Sequence, residues 1–184
     1  MQACGIANAH DMAVLHSARQ LSALPIDAPV TMQEYINHGG VLWKVYVIGD
    51  RHFIVKRRSL PDMDGQEEPL LFNSHRMQDI VADESEASGS DEAPDLDTVG
   101  AFCASVGRRL GLTLFGVDIL RESRPGDPPG TARLFAVDVN YFPGYDGVPD
   151  FHAQLLAHVL GPTLPLKSLP LNGNGNGLTP APLK

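Results

Sequence analysis

Two β-branched runs, each carrying one acid, constrain this chain most. Residues 112–120 read Leu-Thr-Leu-Phe-Gly-Val-Asp-Ile-Leu, with Asp118 as the acid. Residues 132–140 end in Ala136-Val137-Asp138-Val139-Asn140, and 122–131 between the runs are rich in Pro and Gly. That pattern predicts an antiparallel hairpin with a long loop, in which Asp118 sits across from Asp138. Asp138 and Asn140 are two residues apart and so share a strand face. By themselves they read as a strand end with two turn-forming residues, because Pro143, Gly144 and Gly147 break the chain just after them. The second carboxylate shifts the reading. Two carboxylates and an amide facing one way repel one another unless a cation lies between them. Such hard oxygen donors suit Mg²⁺, which is usually bound beside a nucleotide phosphate. We take Asp118, Asp138 and Asn140 as a magnesium site.

A chain of 184 residues can bury a core and is ordinarily one domain. Its formal charge is −8, and twelve of its 22 acids fall between Asp62 and Asp97. Lys44, Arg51, Lys56, Arg57 and Arg58 fall within fifteen residues. The acidic balance excludes non-specific nucleic-acid binding, while the local basic patch suits phosphate. Cys4 and Cys103 make neither a disulfide framework nor a zinc pattern, so a reducing, cytoplasmic setting is expected. No run is long enough to span a membrane, and the start is not a signal peptide.

Along the chain, Met12, Leu15, Ala18, Leu21 and Leu24 recur at helical spacing, ended by Pro25. Asn8 or His10 lies near the start of that expected helix, where free N–H groups suit an anion. Residues 29–36 read as a strand, 37–40 (Asn-His-Gly-Gly) as a turn, and 41–48 and 52–59 as a hairpin about Gly49-Asp50. Lys44 shares its strand face with Leu42, Tyr46 and Ile48. A lysine there is costly to bury without an anion, although its stem can also carry the charge out to solvent. Arg57 and Ser59 share one strand face, Lys56 and Arg58 the other. Residues 61–69 form an acidic loop, and 79–95, rich in Ser, Asp and Glu, read as a mobile one. Leu96, Val99, Cys103, Val106 and Leu110 make a helical stripe, capped by Asp95 or Asp97 and ended at Gly111. A last helix starts at Pro149, with Phe151, Leu155, Leu156 and Val159 on its apolar side. Residues 161–184 hold five Pro, four Gly and an Asn-Gly repeat, a disordered low-complexity tail with no means of packing.

The segments Phe115-Gly116-Val117-Asp118-Ile119 and Val137-Asp138-Val139-Asn140-Tyr141-Phe142-Pro143-Gly144-Tyr145 resemble the metal-binding core of the inositol-tetrakisphosphate 1-kinases (inositol 1,3,4-trisphosphate 5/6-kinases), which are ATP-grasp enzymes. The likeness runs from about residue 3 to about 160 and includes Asn37-His38-Gly39 and Phe72-Asn73-Ser74-His75. It implies an α+β fold, the C-terminal part of an ATP-grasp, with antiparallel sheets flanked by helices over residues 1–160. It implies ATP binding by Gln33, Glu34, Tyr35, Lys44, Arg57, Ser59 and Ser74, with Arg57 and Ser59 at the phosphates. His10, Lys44, Asn140 and Gly144 are implied to meet the inositol phosphate. Asp118, Asp138 and Asn140 are implied to hold Mg²⁺, two ions in all. In this family the segment matching Met1 lies inside the protein, so an N-terminally truncated form is expected. A serine that some members carry just after the Phe-Asn-Ser-His segment is replaced here by Arg76-Met77-Gln78.

The expected reaction is transfer of the ATP γ-phosphoryl to a ring hydroxyl of an inositol tris- or tetrakisphosphate. The full-length protein is expected to be a monomer with neither nucleic-acid nor membrane partners. The rival readings are another ATP-grasp enzyme, such as a carboxylate–amine ligase, and a non-catalytic remnant. The metal strands alone would allow the former.

Overall fold

The computed structural model describes residues 2–5, 10–24, 26, 29–63, 68–81, 93–122 and 132–161. Asn8, most of the expected acidic loops and the 162–184 tail lie outside them. Contacts divide the chain into two units, Met1–Pro149 and Asp150–Lys184.

The first unit holds two four-stranded antiparallel sheets. One has the order β3-β1-β2-β6, from β1 (Gln2–Gly5), β2 (Asp11–Val14), β3 (Val30–Gln33) and β6 (Leu70–Asn73). The other has the order β5-β4-β7-β8, from β4 (Val41–Ile48), β5 (Arg51–Arg58), β7 (Leu114–Arg121) and β8 (Leu134–Tyr141). The three strands expected over residues 29–59 are therefore split. The first, shortened to β3, joins one sheet, and β4 with β5 joins the other.

The expected helix from Met12 is corrected. Residues 11–14 are β2, paired with β1 on one side and β6 on the other. Only Ala18–Ala23 turn helically, as a 3₁₀ segment whose start is held by the Gln20 side chain on the His16 and Ser17 N–H groups. Sheet pairing on both edges satisfies the backbone of Met12 and Ala13, and this outweighs their helical spacing. His10 therefore leads into a strand and not into a helix start.

The core of the second sheet follows from strand alternation. Trp43, Val45, Val47, Phe115, Val117 and Ile119 turn to one face and pack with Val99 and Cys103 of helix α1 (Leu96–Leu110). Asp95 caps α1 by accepting from the Thr98 N–H at 2.8 Å. Gly111 closes it in the left-handed region with φ 68°, as glycine allows. Burial pushes the Cys103 thiol up to about 11, leaving it a small core residue.

Besides the run from β6 to β7 through α1, two linkers join the sheets, residues 34–40 from β3 to β4 and 59–69 from β5 to β6. They are tied to one another. The Asp62 carboxylate accepts the His38 and Gly39 N–H groups, each at 2.7 Å. The Met63 N–H donates to the Asn37 side-chain oxygen, and the Tyr35 hydroxyl to the Pro61 carbonyl.

The second unit contributes one described helix, α2 (Phe151–Leu160), whose Leu156, Val159 and Leu160 are exposed. Among the described residues no helix is long and apolar enough to cross a membrane.

Candidate functional site

The face of the second sheet opposite its core carries the expected metal and phosphate residues. Lys44 on β4 is directly opposite Asp118 on β7, and Asp118 is opposite Asp138 on β8. Asn140 lies opposite Gly116, and Arg57 on β5 opposite Leu42. Residues paired across antiparallel strands share a face, as do residues two apart. Arg57, Lys44, Asp118, Asp138 and Asn140 thus all project to one side.

In the middle of this row the Lys44 ammonium straddles the Asp118 carboxylate. Nζ donates to Oδ2 at 3.2 Å and lies 3.0 Å from Oδ1. The second approach is an ion pair without a formal hydrogen bond, and Oδ1 is buried beneath it. Both side chains are mostly covered, 23% and 16% exposed. Burial raises the Asp118 pKa above the ordinary carboxylate value, Lys44 opposes that shift, and the charge of Asp138 adds to it. Asn140 donates from Nδ2 to Asp138 Oδ2 at 2.9 Å, which leaves its amide oxygen outside that bond. Among the described residues no three His, Cys, Asp or Glu side chains group as a metal site. The oxygen set here is two carboxylates and one amide. Two carboxylates and an amide oxygen on one sheet face are an arrangement that a hard cation fits.

Arg57 bends to the turn after β8, donating from Nη2 to the Asp146 carbonyl at 2.7 Å. That turn is backbone-strained. Phe142 and Tyr145 have φ of 40° and 54°, values that side chains other than glycine rarely adopt. Tyr145 is anchored by its hydroxyl, which donates to the Val47 carbonyl at 3.2 Å, and by its ring against Tyr46. Gly144 is exposed, and a Cβ there would meet the Asp146 carboxylate at 3.1 Å. Gly116 leaves room for Pro143, whose ring a Cβ would meet at 3.0 Å.

Ser59 is buried at the end of β5, on the linker ties, with its hydroxyl 2.7 Å from His38 Nε2. His38 Nδ1 lies 2.6 Å from the Ile36 carbonyl, which can only accept, so that nitrogen carries the proton. Burial lowers the His38 pKa, against the opposing pull of the Ile36 carbonyl and Asp62. The ring is therefore neutral, Nε2 accepts, and Ser59 donates to it. Ser59 keeps only lone pairs for anything else. Asn-His-Gly-Gly reads as a turn in sequence, and nothing local marks His38 as a partner of a serine 21 residues away.

On the first sheet His10 lies beside Ser74, with Nδ1 3.1 Å from Oγ, and the Ser74 N–H donates to the His10 carbonyl at 2.7 Å. The His75 ring lies against His10, with centroids 3.6 Å apart and planes tilted by 44°. Asn73 supports this corner by donating to Asp11 and accepting the His75 N–H. His75 stands in a recognisable segment, but its contact with His10 depends on the pairing of β2 with β6. Gln33 and Glu34 are exposed at the end of β3. Tyr35 is half-buried, and burial followed by Asp62 raises its pKa.

Residues 1–161 match the family model described as the inositol 1,3,4-trisphosphate 5/6-kinase ATP-grasp domain. The mixed α+β architecture with antiparallel sheets agrees with that match. Curated relatives include inositol-tetrakisphosphate 1-kinase 3 of Arabidopsis thaliana, 34% identical over 153 residues, which covers 80% of this chain and 41% of the relative. Inositol-tetrakisphosphate 1-kinase of Danio rerio is 31% identical over 160 residues, 83% of this chain and 38% of the relative. Inositol-tetrakisphosphate 1-kinase 2 of Glycine max is 36% identical over 156 residues, 82% of this chain and 47% of the relative. The chain spans less than half the length of each of these three.

Proposed function

Because this chain belongs to the inositol 1,3,4-trisphosphate 5/6-kinase family of ATP-grasp domains, we propose that it carries the Mg²⁺- and phosphate-binding face of an inositol phosphate kinase. The reaction is transfer of the ATP γ-phosphoryl to a ring hydroxyl of an inositol tris- or tetrakisphosphate. The observation that supports this most is the row Lys44–Asp118–Asp138 across three strands, with the buried Asp118 Oδ1 met by the Lys44 ammonium at 3.0 Å. A purely apolar face would offer nothing to a metal–phosphate complex.

Phosphoryl transfer asks a protein mainly for positioning and charge compensation. Asp118, Asp138 and the Asn140 amide oxygen are the residues that would hold Mg²⁺, with two ions expected. Held by these residues, the metal would supply positive charge that compensates the ATP phosphates. Lys44 and Arg57, on the same face, offset phosphate charge. His10 and the exposed Gly144 turn orient the inositol phosphate together with Lys44 and Asn140. Gln33, Glu34 and Tyr35 serve the adenine side, and Ser74 the nucleotide next to His10. Ser59 meets the nucleotide as an acceptor, from an amino or hydroxyl group, because its proton is committed to His38. The phosphate contact on β5 therefore falls to Arg57.

The test is ATP turnover with inositol tris- and tetrakisphosphates, set beside amino-acid substrates of a carboxylate–amine ligase. Turnover that depends on the inositol phosphate and is lost in Asp138→Asn is the expected result. Turnover with the amino-acid substrates instead would overturn the assignment.

A further inference from the structure

We propose that Lys44 is an exchangeable counter-ion, held on Asp118 until a divalent cation takes that carboxylate, and then released to bind phosphate. The inference rests on the metal reading of Asp118, Asp138 and Asn140 and goes beyond it in assigning an order of events.

The geometry makes the two cations rivals. The Lys44 ammonium lies within 3.2 Å of both Asp118 oxygens. A cation coordinated by Asp118 needs at least one of those oxygens, in the space the ammonium borders. Oδ1 is buried and held by the ammonium at 3.0 Å without a formal hydrogen bond, so a cation reaches it only as the ammonium withdraws. A divalent ion there and an ammonium at that distance repel each other strongly in so covered a place. Lys44 has room to yield. Its side chain is 23% exposed, and a four-carbon stem lets the ammonium turn outward without moving β4.

Charge balance gives the exchange its direction. Asp118, Asp138 and Lys44 together carry −1, with Arg57 turned away to the Asp146 carbonyl, so this trio attracts a cation. With a divalent ion bound and Lys44 still in place the row carries +1, and the ammonium is no longer needed at Asp118. An incoming phosphate is then the anion that Lys44 lacks. Neutralisation of Asp118 by Lys44 thus keeps the ligand-free face from repelling itself apart, and cation binding converts the same lysine into a phosphate ligand. The order that follows is divalent cation, alone or with its nucleotide, before the inositol phosphate.

The chain has four lysines, Lys44, Lys56, Lys167 and Lys184, so acylation of each can be read separately by peptide mass. The experiment is competitive acylation of the full chain with and without saturating Mg²⁺, with Mn²⁺ binding followed in parallel by electron paramagnetic resonance. Mg²⁺ is expected to raise the labelling rate of Lys44 several-fold and leave Lys56 unchanged. Inorganic phosphate is expected to protect Lys44 again only while Mg²⁺ is present. As a second readout, Lys44→Met is expected to tighten Mn²⁺ binding by about fivefold, the factor by which a partly screened ion pair holds its carboxylate. Arg57→Met, which removes a charge from the same face without touching Asp118, is expected to change it less. Bound Mn²⁺ with Lys44 labelling unchanged by Mg²⁺ overturns the exchange and leaves the metal site standing. Absence of bound Mn²⁺ in the wild-type chain overturns both. Should Lys44→Met not fold, the wild-type labelling alone decides.

Discussion

Asp118 and His38 are each held in a protonation equilibrium away from the ordinary one, with opposite consequences for stability. The Asp118 carboxyl binds its proton more tightly in the fold than in the unfolded chain, where its pKa is 3.8, because burial outweighs the help of Lys44. Its favourable contribution is therefore complete below 3.8 and is lost as pH rises through the folded value. Asp118→Asn is expected to abolish that loss, so the gap in urea midpoint between variant and wild type should move in the variant's favour as pH rises from 4 to 7. A gap that does not vary with pH would contradict this. For His38 the sign reverses. Burial makes the folded imidazole release its proton more easily than the unfolded one at 6.5. Stability from the neutral ring is complete above 6.5 and is lost as pH falls through the folded value. The Asp62 charge and the Tyr35 ring, 5.8 Å away, are the neighbours that face it. His38→Gln should flatten the acid limb of the stability profile between about pH 6.5 and 5, read by thermal melts across that range.

At the scale of elements, helix α1 was legible because its signals are local. Its apolar stripe, its Asp95 cap and its closing Gly111 lie within seventeen residues. Asp95→Ala should cost about 1 kcal/mol, the usual worth of a cap. Gly107→Ala should cost more than a surface glycine change, since the new Cβ would meet the Leu112 backbone carbonyl at 2.8 Å. Phe115→Ala, in the fully buried core, should cost about 3–5 kcal/mol. Denaturant melts of the three variants, compared at constant slope, check the ranking. Strand β2 was not legible. Its four residues are held by β1 and by β6, and β6 begins 56 residues after β2 ends. No window around Met12 contains that information, whereas helical spacing does lie in the window. The split of residues 29–59 between two sheets was hidden for the same reason, because β3 pairs with β1 and not with β4.

For the molecule as a whole, the candidate site divides by the kind of information it needs. Strand parity alone placed Asp138 with Asn140, and the Pro- and Gly-rich loop placed Asp118 across from Asp138. The carboxylate partner of Lys44 could not be read, because β4 and β7 are separated by the whole stretch that holds β5, β6 and α1. The same limit hid the His38–Ser59 bond and the His10–His75 ring contact. The His38–Ser59 bond is one of the ties between the linker before β4 and the linker after β5. The most direct test of the account is Mn²⁺ added in small steps to the isotope-labelled chain, with amide signals followed by NMR. The account predicts selective broadening of residues 116–118 and 138–140, lost together in Asp118→Asn and in Asp138→Asn. Broadening confined to the acid-rich stretch between Asp62 and Asp97, or unchanged by both substitutions, would contradict it.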